Sequence, residues 1–191
     1  MRKSVLIMFF AIVSVASAGN FLVNGNFEQA LDIGWTSYMA DPTYGYDTIA
    51  RGTGYENDPD YEAYTLSTFG YVTRLYQTVD ITSTSDFSFS IKAKINAFDN
   101  EADTLCWAAS AVVLYYKNSA GTTLGETRIC RYSTPCPWVG TSTVHLIPAA
   151  DTLWHTYSFT LNAELANLPG VTPSQVKKVT VCLLDTTYHS C

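Results

Sequence analysis

A strict alternation of apolar and polar residues constrains the fold of this chain more than any other feature. The apolar members are Phe87, Phe89, Ile91, Ala93 and Ile95, and serines or lysines separate them. Successive side chains of a strand point to opposite faces of its sheet. The segment therefore predicts a β-strand with one buried face and one solvated face.

Strand-like segments recur along most of the remaining chain. Residues 109–116 and 122–132 are separated by turn-forming residues 118–121, which predicts a hairpin. Residues 162–168 predict a short helical turn, which Pro169 and Gly170 end. The other predicted strands are residues 71–81, 154–161 and 178–184. Several short strands with few helix formers predict an all-β sandwich.

The first 18 residues have the pattern of a signal peptide. Arg2 and Lys3 precede nine apolar residues, Val5 to Val13, and Ala16-Ser17-Ala18 supplies a small-x-small cleavage pattern. A helix needs about 20 residues to cross a bilayer, so an uncleaved membrane anchor is the weaker interpretation. We expect an exported protein, secreted or on the cell surface, with one domain over residues 19–191.

The charge of the exported part argues against nucleic acid as a partner. Removing residues 1–18 takes away Arg2 and Lys3 but no acid, so the net charge moves from −6 to −8. A chain this acidic, without a basic cluster, is poorly suited to phosphate backbones. We expect no nucleic acid partner and no membrane span in residues 19–191.

All five cysteines lie in the exported part, where oxidising conditions permit disulfides. They are Cys106, Cys130, Cys136, Cys182 and Cys191, and none has the spacing of a zinc site. A bridge across the hairpin from Cys106 to Cys130 or Cys136 is one expectation, and a small C-terminal loop closed by Cys182 and Cys191 is another. The odd number leaves one thiol free, paired between chains, or paired outside this sequence, and the connectivity stays open.

Four segments carry a resemblance to a known family. Residues 20–28 read NFLVNGNFE and precede Gly34-Trp35, while residues 75–81, 87–94 and 154–160 read LYQTVDI, FSFSIKAK and WHTYSFT. In this order they resemble the carbohydrate-binding modules with a galactose-binding-domain-like jelly roll, the type that binds xylan and glucan. The resemblance spans nearly all of residues 19–191 and implies a jelly-roll β-sandwich that binds a polysaccharide.

The first of these segments also predicts local structure. Asn24-Gly25 suits a tight turn, in which glycine accepts a positive φ at no steric cost. Phe27 and Trp35 suit one end of a sandwich core.

The resemblance implies a structural calcium ion. In that family the glutamate of the first motif joins a calcium site with backbone carbonyls and an aspartate of the last strand, which makes Glu28 the candidate here. Oxygen ligands suit Ca²⁺. The family's closing xDDVxL pattern is absent, and the chain ends at Tyr188-His189-Ser190-Cys191. Either the chain is truncated and lacks a final strand, or the domain closes differently, and both put the calcium site in question.

A carbohydrate site needs aromatic faces beside hydrogen-bonding groups. Arg74 and Tyr76 alternate with Leu75 along a predicted strand, so their side chains face away from the core. Gln77 follows on the same strand and is a further candidate. Trp138, beside Pro135 and Pro137, is expected to be exposed in a loop, whereas Trp35 and Trp154 suit the core. The remaining candidates are the tyrosines around the acidic segment of residues 51–62: Tyr44, Tyr46, Tyr55, Tyr61 and Tyr64. For each tyrosine the competing interpretation is a half-buried strand residue.

Acidic residues and histidines give no strong signal for metal binding or catalysis. The acidic segments of residues 58–62 and 99–103 lack the glycine and the final glutamate of an EF-hand loop, which favours solvated loops. No G-x-S-x-G, H-E-x-x-H or P-loop motif occurs, and the three histidines have no recognisable nucleophile partner. A carboxylate pair for glycoside hydrolysis stays open as the least favoured alternative.

These observations favour a secreted, non-catalytic carbohydrate-binding module. The alternative is an extracellular structural or adhesive β-sandwich that contacts protein partners, which an unmatched cysteine or an exposed edge strand would favour.

Overall fold

The fold is known from a computed structural model, which describes residues 20–40, 47–53, 59–68, 70–98 and 105–188. These ranges contain ten strands and one short helix, α1 (Leu161–Leu165), with a 3₁₀ turn at Pro173–Gln175. The strands are β1 (Thr36–Met39), β2 (Thr48–Thr53), β3 (Tyr61–Leu66), β4 (Val72–Asp80), β5 (Ser88–Ala93), β6 (Trp107–Lys117), β7 (Thr123–Tyr132), β8 (Val144–Pro148), β9 (His155–Thr160) and β10 (Lys178–Tyr188).

The strands form one large sheet and two strand pairs. The large sheet has the order β1-β4-β10-β6-β7-β8, in which β7 and β8 are parallel and all other neighbours are antiparallel. The pairs are β2 with β3 and β5 with β9, both antiparallel. The last described strand, β10, thus lies in the middle of the sheet, and the edge strands in the described part are β1 and β8.

The main core lies between the large sheet and the two strand pairs. From the large sheet, Leu75, Leu114 and Val181 point into this core and are almost fully buried. Phe89 and Phe159 come from the facing pair, with ring centroids 5.4 Å apart. The protein is therefore an all-β sandwich, as the strand pattern predicts.

All six predicted strands are confirmed, as β4, β5, β6, β7, β9 and β10. The alternating segment forms β5, with Phe89 and Ala93 buried between exposed neighbours. The predicted hairpin forms from β6 and β7, and Asn118 closes its turn by accepting the Gly121 amide at 3.0 Å. The predicted helical turn forms α1, one residue earlier than expected.

The expectation of a loop over residues 51–62 is wrong at both ends. Arg51 to Thr53 belong to β2, and Tyr61 and Glu62 belong to β3. Residues 54–58, and the acidic segment of residues 99–103, lie outside the described residues.

The N-terminal turn forms, but with a different residue in the left-handed conformation. Asn24 has φ 50°, and its carbonyl accepts the Phe27 amide at 3.1 Å. Phe27 also has a positive φ, 57°, whereas Gly25 does not. A Cβ on Gly25 would lie 2.9 Å from Asn20 Nδ2, the end of a flexible side chain, and 3.1 Å from Leu22 Cβ, so space at this position is tight. The Phe27 and Trp35 rings, 5.1 Å apart, pack at the core as predicted.

The expected disulfides are not present among the described residues, since Cys106, Cys130, Cys136 and Cys182 are free thiols. Cys130 lies opposite Ala111, five residues from Cys106 and about 16 Å along the strand. A bridge requires Cα atoms within about 7 Å, so Cys106 and Cys130 are not placed to form one. The chain is extended strand from Cys182 to Tyr188, where a small loop was expected, and Cys191 lies outside the described residues.

In the part of the chain that the structure describes, no helix is long and apolar enough to span a membrane.

Candidate functional site

The large sheet has an outer face, defined here as the face turned away from the main core. One row across this face contains Tyr76, Cys182, Val113 and Arg128, from β4, β10, β6 and β7 respectively. Directly opposite residues of antiparallel strands share a face, so these side chains are neighbours. The adjacent rows add Arg74, Leu184, Ala111 and Cys130 on one side, and Thr78, Thr180, Tyr115 and Glu126 on the other.

Small, buried side chains form the floor of the outer face. Ala111, Val113, Cys130, Cys182 and Leu184 make a second apolar cluster, separate from the main core. Three aromatic rings, those of Tyr76, Tyr115 and Trp138, pack on this floor and stay partly exposed. All three rings therefore lie on the same face of the sheet, against one apolar cluster.

Trp138 reaches this face from the segment that follows β7. Its ring lies under the Arg128 guanidinium, with Cζ 4.4 Å from the ring centroid, and 6.3 Å from the Tyr132 ring. Stacking of this kind holds both a ring and a cation in place. Trp138 was expected to be exposed in a loop, but the structure makes it a half-buried part of the outer face.

Cations border the rings at several points. Arg74 Cζ is 5.8 Å from the Tyr38 ring, and Lys117 Nζ is 5.9 Å from the Tyr115 ring. Burial raises the pKa of Cys182 to about 12, while Arg74 and Lys117 act in the opposite direction. Burial also raises the pKa of Tyr115 to about 12. The outer face therefore combines aromatic rings, guanidinium donors and neutral thiols.

The predicted carbohydrate-binding residues are divided among three places. Arg74, Tyr76 and Trp138 come together on the outer face. Tyr61 and Tyr64 lie on β3 in the other layer, where the Arg51 guanidinium sits 3.9 Å from the Tyr61 ring centroid. Tyr44, Tyr46 and Tyr55 lie outside the described residues.

Gln77 faces the interior and is not available to a ligand on the outer face. Its amide nitrogen donates to the Val23 carbonyl at 2.9 Å, and its amide oxygen accepts the Val23 N–H at 2.7 Å. The residue is 7 % exposed.

Sequence reasoning did not single out Tyr38, Tyr115 or Arg128 as members of this site. For Tyr115 a signal was present, because residue 115 alternates with the buried Leu114 and Tyr116. Tyr38 and Arg128 gave no such signal, since their place depends on the pairing of β1 with β4 and of β7 with β6.

The predicted calcium ligand Glu28 lies in a poor setting for a metal. Glu28 is exposed, and its carboxylate lies 3.5 Å from the Tyr61 amide. Among the described residues, no group of three or more His, Cys, Asp or Glu side chains is placed to hold a metal ion.

An oxygen-rich cluster lies elsewhere, inside the sandwich. Asp185 and Thr73 are opposite each other on the inner face of β10 and β4. The backbone amide of Ser67 donates to Asp185, and the amide of the next residue, Thr68, donates to Asp47 Oδ1 at 2.9 Å. The two carboxylates therefore flank one dipeptide.

Several oxygens of this cluster lack hydrogen-bond partners among the described residues. They are Asp47 Oδ2, Ser67 Oγ, Thr68 Oγ1 and Thr73 Oγ1, all buried. Thr73 is 0 % exposed and Ser67 is 4 % exposed. A buried polar atom without a hydrogen-bond partner lowers the stability of the fold by about 1–3 kcal/mol. A bound cation that prefers oxygen ligands would give these atoms a partner, so the cluster is suited to such an ion.

The charge of the cluster supports the same interpretation. Burial raises the pKa of Asp185 to about 7, and the nearby carboxylate of Asp47 adds to the rise. The groups that lower the pKa of Asp185 are the Ser110 hydroxyl and the backbone amides of Ser67 and Thr186. None of these groups is a cation, so none of them neutralises the carboxylate.

A network between the half-buried His145 and the buried Glu164 is the arrangement closest to catalytic machinery in the described ranges. His145 Nδ1 lies 2.5 Å from Glu164 Oε1, which also accepts the Thr127 hydroxyl at 2.7 Å, and the Tyr116 hydroxyl lies 3.0 Å from that of Thr127. In a nucleophilic triad the histidine stands between hydroxyl and carboxylate. Here the carboxylate stands in the middle, so the network satisfies the hydrogen bonding of a buried acid.

Comparison with protein-family models and with curated protein sequences gives no match.

Proposed function

We propose that the outer face of the large sheet binds a carbohydrate chain, and that the protein is an extracellular, non-catalytic glycan-binding domain. The observation that carries this proposal is the grouping of Tyr76, Tyr115 and Trp138 on one floor of small residues. The arginines Arg74 and Arg128 border the same rings.

The chemistry of sugars suits this grouping. A sugar ring presents C–H groups on its faces and hydroxyl groups at its rim, so it needs an apolar platform and polar donors together. Tyr76 and Tyr115 pack on the floor and stay half-buried, so part of each ring is left for a ligand, while the Trp138 ring has the Arg128 guanidinium on one of its faces. Guanidinium groups add charge-assisted hydrogen bonds to the hydroxyls.

Secretion and the jelly-roll topology belong to the same proposal. The support for them is the signal-like pattern of residues 1–18 and the four ordered segments that resemble carbohydrate-binding modules.

A glycan array followed by titration calorimetry on the responding glycan tests the proposal. We expect Tyr76→Ala and Trp138→Ala to weaken binding about fivefold or more, because truncating a central aromatic anchor costs over about 1 kcal/mol. Tyr61→Ala, in the other layer, is the matched control and keeps the wild-type affinity.

A demonstrably folded protein that binds no glycan on the array would overturn the proposal. That result would favour an extracellular domain that contacts protein. The observation behind this second candidate is the pair of edge strands in the described part, β1 and β8. An intermolecular disulfide is a weaker route to it, because Cys106, Cys130 and Cys182 are buried.

We also propose that a structural Ca²⁺ is held by Asp47 and Asp185, with the hydroxyls of Thr73 and Ser67, in place of Glu28. Glu28 lies beside Tyr61, at the start of β3, and Asp185 lies beside Ser67, just after the end of β3. Tyr61 and Ser67 are six residues apart, or about 20 Å along an extended chain. Glu28 and Asp185 therefore do not share a site. The ion would neutralise the two carboxylates and tie the end of β3 to β10 and β4.

Thermal unfolding after chelation tests the calcium proposal. Adding Ca²⁺ to protein treated with EDTA should raise Tm by about 5–10 °C at a hundredfold excess over Kd. Asp185→Asn should abolish the rise and Thr73→Val should shift it to higher Ca²⁺, while the exposed Asp86→Asn keeps it. An unchanged Tm, with no calcium found by elemental analysis, would show that water alone fills the cluster.

A further inference from the structure

The charges on the outer face differ from those of the chain as a whole. The chain carries a net charge of −6. The described residues place four cations on this face, Arg74, Lys117, Arg128 and Lys178, against two acids, Asp80 and Glu126. An acidic protein therefore presents a locally positive surface where its aromatic rings gather.

Two of the four cations are neutralised by neighbours on the same face. Lys178 Nζ lies 2.7 Å from Asp80 Oδ1, and Arg128 pairs with Glu126. Arg74 and Lys117 have no carboxylate partner among the described residues; each lies beside a tyrosine ring instead. These two cations are the unmatched charges of the outer face.

The unmatched cations stand at opposite ends of the ring platform. Arg74 lies opposite Leu184 of β10, and Lys117 lies opposite Lys178 of the same strand. Leu184 and Lys178 are six residues apart, which is about 20 Å along a strand. Both act electrostatically on Cys182, on the floor between them. A ligand that covers Cys182 and reaches across the rings would therefore have a cation near each of its ends.

We propose that the outer face selects an anionic polysaccharide whose sugar units bear carboxylate groups. The inference rests on the proposed function and deepens it, because the rings bind the sugar faces while Arg74 and Lys117 receive carboxylates at two points along the chain. Arg74 offers the planar fork of donors that matches a carboxylate, and Lys117 supplies a compact charge. Two receptors this far apart suit a charge that repeats along a polymer.

Polygalacturonate and its fully methyl-esterified form make the matched ligand pair, since they share one backbone and differ in charge. We expect the purified protein to bind polygalacturonate at least tenfold more tightly than the ester, with an affinity that falls as salt rises. Lys117→Gln should lower affinity for polygalacturonate about tenfold and leave binding of the ester unchanged, whereas Arg74→Gln should lower affinity for polygalacturonate about tenfold and affinity for the ester to a smaller extent. Lys94→Gln, at an exposed position beyond β5, is the control and keeps wild-type binding.

Each other result has a defined meaning. Equal affinity for both forms, or for a neutral xylan, would overturn the charge selection and leave glycan binding standing. Binding of heparin without polygalacturonate would overturn the assignment to carboxylates. Equally tight binding to double-stranded DNA would reduce the effect to attraction for any polyanion and overturn the inference. No binding to any glycan by folded protein would overturn the inference together with the proposed function.

Discussion

The side chain of Gln77 makes the two hydrogen bonds to Val23 that the backbone of a neighbouring strand would otherwise make. Its amide makes two hydrogen bonds, one with the N–H and one with the carbonyl of Val23, as a paired backbone would. The two residues are 54 positions apart, so this contact fixes the N-terminal segment against the large sheet. A polar residue on a core-facing position is here a structural clamp.

Replacing Gln77 by leucine tests this role. The variant keeps the apolar bulk but leaves the N–H and carbonyl of Val23 without their partners, which should lower the free energy of unfolding by about 1–2 kcal/mol. Urea unfolding measures the loss, and limited proteolysis should show earlier cleavage near Val23. Gln175→Leu, on an exposed turn, is the matched control. Equal stability of the two variants would show that water replaces the clamp at no cost.

Single residues also show where sequence reasoning stops. Arg74 and Tyr76 could be assigned to the outside of their strand, because alternation with the buried Leu75 fixes the face. Alternation does not say which strand lies next to β4. The neighbours of Tyr76 are Cys182 and, one strand farther, Val113, and both depend on pairings between residues far apart in the chain.

At the scale of elements, strands were predictable where a clear pattern meets a clear turn. β6 carries a long apolar run, β7 mixes polar and apolar residues, and the turn at Asn118 to Gly121 between them includes Gly121 with φ 87°. β1 and β2 gave no such signal. Their residues, TSYM and TIARGT, are exposed or half-buried, so no alternation marks them. Peripheral strands take their structure from their partners.

The central position of β10 in the large sheet could not be predicted from the sequence. The strand is buried on both faces, with Val181 and Leu184 facing different apolar clusters. A missing closing pattern suggested a truncated or differently closed domain. Among the described residues, β10 pairs with β4 over nine residues and with β6 over eleven, so it is paired along its length on both sides.

For the whole molecule, the groups buried under the outer face link its stability to alkaline pH. Burial raises the pKa of Cys130 from 9.0 to about 11 and that of Cys182 from 9.0 to about 12. Burial likewise raises the pKa of Tyr115 from 10.0 to about 12. The folded state therefore holds these protons more strongly than the unfolded state. Their contribution to stability is complete below pH 9 and is lost as pH rises through the folded pKa values.

We therefore expect the free energy of unfolding to fall as pH rises from 9 to 11, by up to about 1.4 kcal/mol per pH unit for each titrating group. Urea unfolding under reducing conditions across this range measures the slope. Cys182→Ala should make the slope shallower, because one of these titrating groups is removed. The small cavity left by the substitution lowers the free energy of unfolding by the same amount at every pH, so it does not change the slope. Thr180→Ala, next to it on the same face, changes the intercept and keeps the slope. A wild-type slope in Cys182→Ala would mean that the Cys182 thiol titrates normally in the folded protein, and that this floor is open to water.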